Sequence, residues 1–183
     1  MSRTMMLEEL GLLLENVGTT DCSPDSCRAL IVDQNCLGKR SGKTRTLTFK
    51  HLVDLYSLSR AVTIFRGMLY FWERDTASRT QLALLCTYAR DPLFRQSATY
   101  LQQCPVGGTV TRESIEELIE KLEQGRFSPA TLKSAAQNIN ATWTQSGHLT
   151  GKVRKIRTVS TPGPGSVAYA LFLGYLSGVR GKL

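Results

Sequence analysis

The stretch TRESIEELIEKLEQGRFSPATLKSAAQNINATWTQSGHLTGKVRKIRTV, Thr111–Val159, decides the fold class. Ile115 to Gln124 reads as a helix with Thr111 and Ser114 as alternative N-caps, and Glu117 completes a capping box three residues after Ser114. Gly125 supplies the C-terminal stop. Ser128-Pro129 then opens a second helix, which runs through Leu132, Ala135, Ala136, Ile139 and Trp143 to Gly147. Two helices joined by so tight a turn predict helix-turn-helix geometry. Gly151 to Val159 sets Val153, Ile156 and Val159 among Lys152, Arg154, Lys155 and Arg157, which reads as a short basic strand or hairpin. Helix, short turn, helix and basic strand, in that order, describe a winged-helix-like module. The alternative is an ordinary helix pair with an exposed basic loop.

Upstream, apolar residues recur at helical spacing. Met5 to Glu15 places leucines at 7, 10, 13 and 14 opposite Glu8, Glu9 and Glu15. Ser23 and Pro24 open a second helix reaching about Gln34. Asn35 to Arg45, with Gly38 and Gly42 among four basic residues, reads as an exposed, mobile, positive loop. Further helices are expected at Leu47 to Tyr56, Ser59 to Glu73, Gln81 to Tyr88 and Pro92 to Leu101, the last capped at the Asp91-Pro92 step. Cys104 to Thr109, with Pro105, Gly107 and Gly108, is the clearest break in the chain. The expected organisation is a mainly all-α protein in two parts. Residues 1–104 form a helical bundle, and residues 105–183 form the basic module, which Pro162-Gly163-Pro164-Gly165 turns into a C-terminal apolar helix from Ser166 to Val179.

The net charge of +8 is unevenly placed. From Arg126 to Leu183 there are eight basic residues (Arg126, Lys133, Lys152, Arg154, Lys155, Arg157, Arg180 and Lys182) and no Asp or Glu, whereas the first 125 residues balance. A one-sided excess of this kind is the electrostatic footprint of a polyanion binder. With 42% apolar residues the chain can bury a core, yet no run of about eighteen apolar residues supports a membrane span. The N-terminus lacks the basic region, long apolar region and small-residue site of a signal peptide, and five cysteines are an odd number; both favour reduced thiols in a cytoplasm. Cys22 and Cys27 are five apart, and neither His51 nor His148 has a partner at ligand spacing, so no metal and no cofactor is expected.

The candidate site follows from these placements. The second helix of the pair offers Lys133, Gln137 and Asn138, together with Thr131, Ser134, Thr142 and Gln145; Gln and Asn suit adenine edges in a major groove. Lys152, Arg154, Lys155 and Arg157 would hold phosphates from the wing. Lys39, Arg40, Lys43 and Arg45 form a second set of phosphate contacts, which need no special geometry. Gly38 to Thr44 ends in Gly-Lys-Thr but is no P-loop, because three residues rather than four separate its glycines and no apolar strand feeds it. No Gly-x-Ser-x-Gly elbow occurs and His148 lies in an acid-free region, so no enzymatic activity is expected.

Three runs carry a family resemblance. They are Val32-Asp33-Gln34-Asn35-Cys36-Leu37-Gly38-Lys39 followed by Arg45, Ala89-Arg90-Asp91-Pro92-Leu93, and Thr142-Trp143-Thr144-Gln145-Ser146-Gly147-His148-Leu149 leading to Pro162 and Ala168-Tyr169-Ala170-Leu171. Together they resemble the BrxA family, the small helical component of BREX phage-defence systems. The resemblance implies an all-helical protein whose bundle is similar to the NusB antitermination fold. It further implies a nucleic-acid-binding accessory without activity of its own, working beside a methyltransferase and ATPases. The expected partners are therefore double-stranded DNA and other defence subunits. RNA is the first rival ligand, and the second rival is a scaffold that docks a partner through the apolar Leu171 to Leu176 face.

Overall fold

A computed structural model describes residues 3–179, so Arg180 and Lys182 of the basic tail lie outside the described residues. The fold is mainly helical with one small sheet, as the sequence patterns predict. The chain divides into two compact units, Asp91–Thr161 together with Met1–Thr4, and Met5–Arg90 together with Pro162–Leu183. Apart from the first four residues, this division differs from 1–104 and 105–183 at α6 and at the C-terminal helix, and packing accounts for both.

The first unit runs α6 (Pro92–Gln103), β1 (Thr109–Val110), α7 (Arg112–Leu122), α8 (Pro129–Gln145), β2 (Leu149–Thr150) and β3 (Lys155–Arg157). Its sheet is antiparallel in the order β1-β3-β2, pairing Thr109 with Ile156 and Leu149 with Arg157. α6 belongs here because its apolar face completes this core. Phe94 is fully buried and stacks on Trp143 at 4.5 Å between ring centroids. The Trp143 indole N–H donates to Ser97 Oγ at 2.9 Å, and Ser97 in turn donates to the Phe94 carbonyl at 2.6 Å. Both polar groups are thereby satisfied inside an apolar environment. The glycine-rich break is no domain boundary but the turn into β1: Gly107 N–H donates to Arg157 O and Arg157 N–H to Gly108 O, each at 2.8 Å.

The second unit contains α1 (Leu7–Val17), α2 (Pro24–Arg28), a π-helical turn Ala29–Asp33, α3 (Gly42–Tyr56), α4 (Thr63–Arg74), a 3-10 turn Thr76–Ser78, α5 (Arg79–Arg90) and α9 (Pro164–Leu176). Leu10, Leu13, Ile31, Leu52, Tyr56, Phe65, Met68 and Tyr169 are fully buried in it. The apolar C-terminal helix belongs here rather than with the basic module, for reasons that involve residues far apart in sequence. The Asp75 carboxylate accepts from the Ser78 hydroxyl at 2.6 Å and from the Gly165 N–H at 2.8 Å, so one side chain fastens the start of α9. A Cβ at Gly163 would lie 2.3 Å from Ser78 Oγ, and one at Gly165 would lie 2.9 Å from Asp75. Pro162 to Gly165 is thus a docking turn built to let backbone approach side chain. Farther along, a Cβ on Gly67 would meet the Phe172 ring at 2.6 Å, and Tyr169 OH donates to the Ile64 carbonyl at 3.0 Å.

The stretch expected as a mobile loop to Arg45 is helical from Gly42 onward. Ser41 is the N-cap, its Oγ accepting from Thr44 N–H at 3.2 Å. Likewise, Thr111 rather than Ser114 caps α7: Ser114 N–H donates to Thr111 Oγ1 at 3.0 Å, so the box through Ser114 and Glu117 does not form.

Candidate nucleic-acid interface

α8 starts where Ser128 Oγ accepts from the Thr131 N–H at 3.3 Å and Pro129 occupies the first turn. Ala135, Ala136, Ile139 and Trp143 face the core, leaving Lys133, Ser134, Gln137 and Gln145 exposed and Asn138 half-exposed. No acidic residue occurs anywhere on this helix. Two polar side chains of α8 do structural work instead. Thr142, expected on the polar side, is fully buried with its hydroxyl on the Asn138 carbonyl at 2.9 Å. Asn140 is buried and donates to the Thr111 carbonyl at 3.4 Å, which ties α8 to the cap of α7.

β2 and β3 are joined by a tight loop at Gly151 to Arg154. Gly151 has φ of +95°, and a Cβ there would sit 2.1 Å from the Arg154 carbonyl, so only glycine fits. The loop holds Lys152, Val153 and Arg154 in solvent, Val153 fully exposed at its tip. Arg154 Nε donates to Thr109 Oγ1 at 3.0 Å, which steadies the guanidinium while leaving its terminal nitrogens outward. Lys155 is half-exposed and reaches the Gly151 carbonyl at 2.6 Å.

Arg157 departs from its expected phosphate role. Its Nε donates to the Leu101 carbonyl and its Nη1 to the His148 carbonyl, both at 3.3 Å, so the guanidinium is turned inward to join α6, β2 and β3. His148 lies between Ser146 Oγ at 2.9 Å and Ser160 Oγ at 3.0 Å, with its ring edge-on to Trp143. Burial, and then the nearby Arg157 charge, hold its pKa below the usual histidine value.

Arg112, the first residue of α7, was missing from the expected site. With Arg154, Thr109 and Thr111 it lines a cleft of about 620 Å³ beside the hairpin tip. It is largely neutralised, since Glu113 and Glu116 lie 2.5 and 2.7 Å from its nitrogens. Thr111 as N-cap is the signal that could have located it.

The 39–45 set lies in the other unit and is only half available. Lys39 pairs with Glu9 at 3.0 Å, and Arg45 reaches the Val32 carbonyl at 3.3 Å and the Lys39 carbonyl at 3.5 Å. Arg40 and Lys43 are exposed. The turn before this segment is π-helical rather than a strand, and the Ser41 cap already occupies one of the amides that a phosphate cradle would use.

Among the described residues no group of three or more His, Cys, Asp or Glu is arranged to hold a metal ion, and no helix is long and apolar enough to cross a membrane. No protein-family model matches the chain, and no curated protein matches it.

Proposed function

We propose that the unit spanning Asp91–Thr161 binds duplex DNA, α8 entering the major groove and the 151–154 loop resting on the phosphates. The observation that carries this reading is the acid-free outer face of α8 followed directly by a hairpin with Lys152, Arg154 and Lys155 at its tip. Helix, strand, helix, helix and a two-stranded hairpin, with β1 pairing β3, is the arrangement in which a winged helix presents these surfaces. Gln137 and Asn138 supply the amides suited to base edges. The protein acts without catalysis, in the cytoplasm, as an accessory of a BREX-type phage-defence system. The resemblance to the BrxA family supports that setting, and other defence subunits are its proposed protein partners.

Fluorescence anisotropy with duplex DNA and duplex RNA of one sequence, over a salt series, tests this. DNA should bind more tightly, because A-form RNA keeps its major groove too deep and narrow for α8. Affinity for DNA should fall steeply with salt. Equal binding of the two duplexes removes the groove-reading role of α8, and a flat salt dependence removes the electrostatic one. One observation favours a second reading, a scaffold: Val167, Leu171, Tyr175 and Leu176 of α9 are exposed, and Leu171 is 72% so. A partner docked on that apolar face would stay bound at high salt.

A further inference from the structure

The unit formed by Met5–Arg90 and the C-terminal segment carries a half-open surface cleft of about 520 Å³, on whose rim Arg60, Arg66, Tyr70 and Arg74 are exposed. That volume lies within the range of small-ligand sites, roughly 300–1,000 Å³. Three arginines line it, Arg60, Arg66 and Arg74, with Tyr70, Phe172 and Thr63, and the single acid on its wall is Glu73. Glu73 stands 3.7 Å from Arg74, which leaves the lining with a net positive charge.

The arrangement follows from helix periodicity. Arg66, Tyr70 and Arg74 are successive i, i+4 positions of α4 and share one face. The Arg74 guanidinium lies over the Tyr70 ring at 3.8 Å and donates to the Tyr70 carbonyl at 2.8 Å, so guanidinium and ring together form a flat ledge. Arg66 is held by the Arg60 carbonyl at 2.9 Å and by Thr63 Oγ1 at 3.5 Å, while Arg60 donates to the Thr19 carbonyl. Each of these contacts uses one or two of the five N–H groups of an arginine, so the guanidiniums are oriented yet keep donors for an anion. Gly67 contributes no side chain between Arg66 and the Phe172 ring, and Leu69 and Phe172 make part of the lining apolar.

A planar ledge, apolar walls and fixed cations match a ligand with a flat aromatic part and a phosphate. We infer that this cleft binds a nucleoside phosphate, with its base against Tyr70 and Arg74 and its phosphate on Arg60 and Arg66. The bases of a duplex are stacked on one another and offer no free face. The ligand is therefore a free nucleotide or a single-stranded stretch of nucleic acid, both of which present the same chemistry. The inference is independent of duplex binding by the Asp91–Thr161 unit.

Isothermal titration of the full chain with AMP, inorganic pyrophosphate and an eight-nucleotide single strand tests it. AMP should bind, and Tyr70→Ala should weaken AMP by at least about fivefold while leaving pyrophosphate unchanged. Arg66→Gln should weaken both. Tyr70 is 54% exposed, so its replacement leaves the core intact, and an unchanged melting curve confirms folding. Dependence on Tyr70 and Arg66 that is shared by AMP and the single strand supports the inference, and the tighter of the two ligands identifies its source. Absence of binding by both AMP and the single strand overturns it. So does an equal effect of Tyr70→Ala on AMP and pyrophosphate, or loss of AMP binding in Arg154→Ala, which would move the site to the other unit.

Discussion

Arg154 and Arg157 are three residues apart, carry the same charge and lie on one hairpin, yet their replacement by alanine should have opposite signatures. Lys133, Lys152, Arg154 and Lys155 are the candidate cations of this unit whose side chains remain open to a phosphate. About four phosphate contacts at ~0.9 counterion each give a log–log salt slope near −3.6, or roughly a 150-fold loss of affinity from about 50 to 200 mM salt. Arg154→Ala removes one contact: the slope should drop by about 0.9 and the salt-induced loss shrink to roughly 40-fold, without change in melting temperature. Arg157→Ala instead leaves the Leu101 and His148 carbonyls without their guanidinium donor. At two bonds of 3.3 Å on a half-buried side chain the cost is about 1–2 kcal/mol, which lowers the melting temperature of a domain this size by roughly 5–10 °C and leaves the slope alone. Anisotropy at four salt concentrations gives the slopes, and Trp143 fluorescence in a Trp72→Phe background follows unfolding of this unit. An Arg157→Ala slope reduced by about one with an unchanged melt would refute the inward assignment, and an unchanged Arg154→Ala slope would take the hairpin off the phosphates.

Two pH dependences should separate the units. The pKa of His148 is lowered by burial and then by Arg157, so the folded unit prefers the neutral ring: stability is full above about pH 6.5 and is lost as pH falls through the folded value. Melts at pH 7.5 and 5 should show this loss in the wild type and not in His148→Gln; greater stability at the acid end contradicts it. Asp75 is also shifted down, first by the Ser78 hydroxyl and then by the Gly165 N–H, so its support of α9 is present above about pH 4 and lost as pH falls through the lowered value. Amide exchange in α9 should rise at neutral pH in Asp75→Asn, and unchanged protection would show that packing alone holds the helix.

What the sequence disclosed was whatever depends on near neighbours. Ser23-Pro24, Asp91-Pro92 and Ser128-Pro129 each mark a helix start that the structure reproduces, because a cap and its N3 amide are three residues apart and need nothing else. Where local rules compete, the outcome was hidden. Gly42 has poor helix propensity and suggested a loop, yet the Ser41 cap starts α3 there. β1 has only two residues, too few to show a period. Membership of the units was less legible still, since α9 is placed by Gly67 and Asp75, about a hundred residues upstream. The candidate site was readable as charge and unreadable as direction. Lys39, Arg45 and Arg157 look like the other cations in the sequence, and only their contacts with Glu9, Val32, Leu101 and His148 distinguish a structural role from an available one.

Those contacts also change the meaning of the charge asymmetry. The balanced first 125 residues conceal a cluster of acids directly beside the basic tail, since Glu113, Glu116, Glu117, Glu120 and Glu123 precede Arg126 within the same unit. Several of them have local work. Glu113 and Glu116 hold Arg112, Glu120 Oε1 accepts from the Gly125 N–H at 3.0 Å and closes the turn after α7, and Glu123 takes Arg126 at 2.8 Å. The acids therefore cancel the cations of α7 and the turn, and Glu113 also lies within electrostatic reach of Lys133 on α8, so the cations left farthest from any acid are those of the hairpin. A polyanion approaching such a unit meets a field with a direction as well as a sign: it is attracted most by the hairpin and not by α7. The orientation in which α8 would meet a groove is thus set before any base is read, by which arginines the glutamates have already claimed.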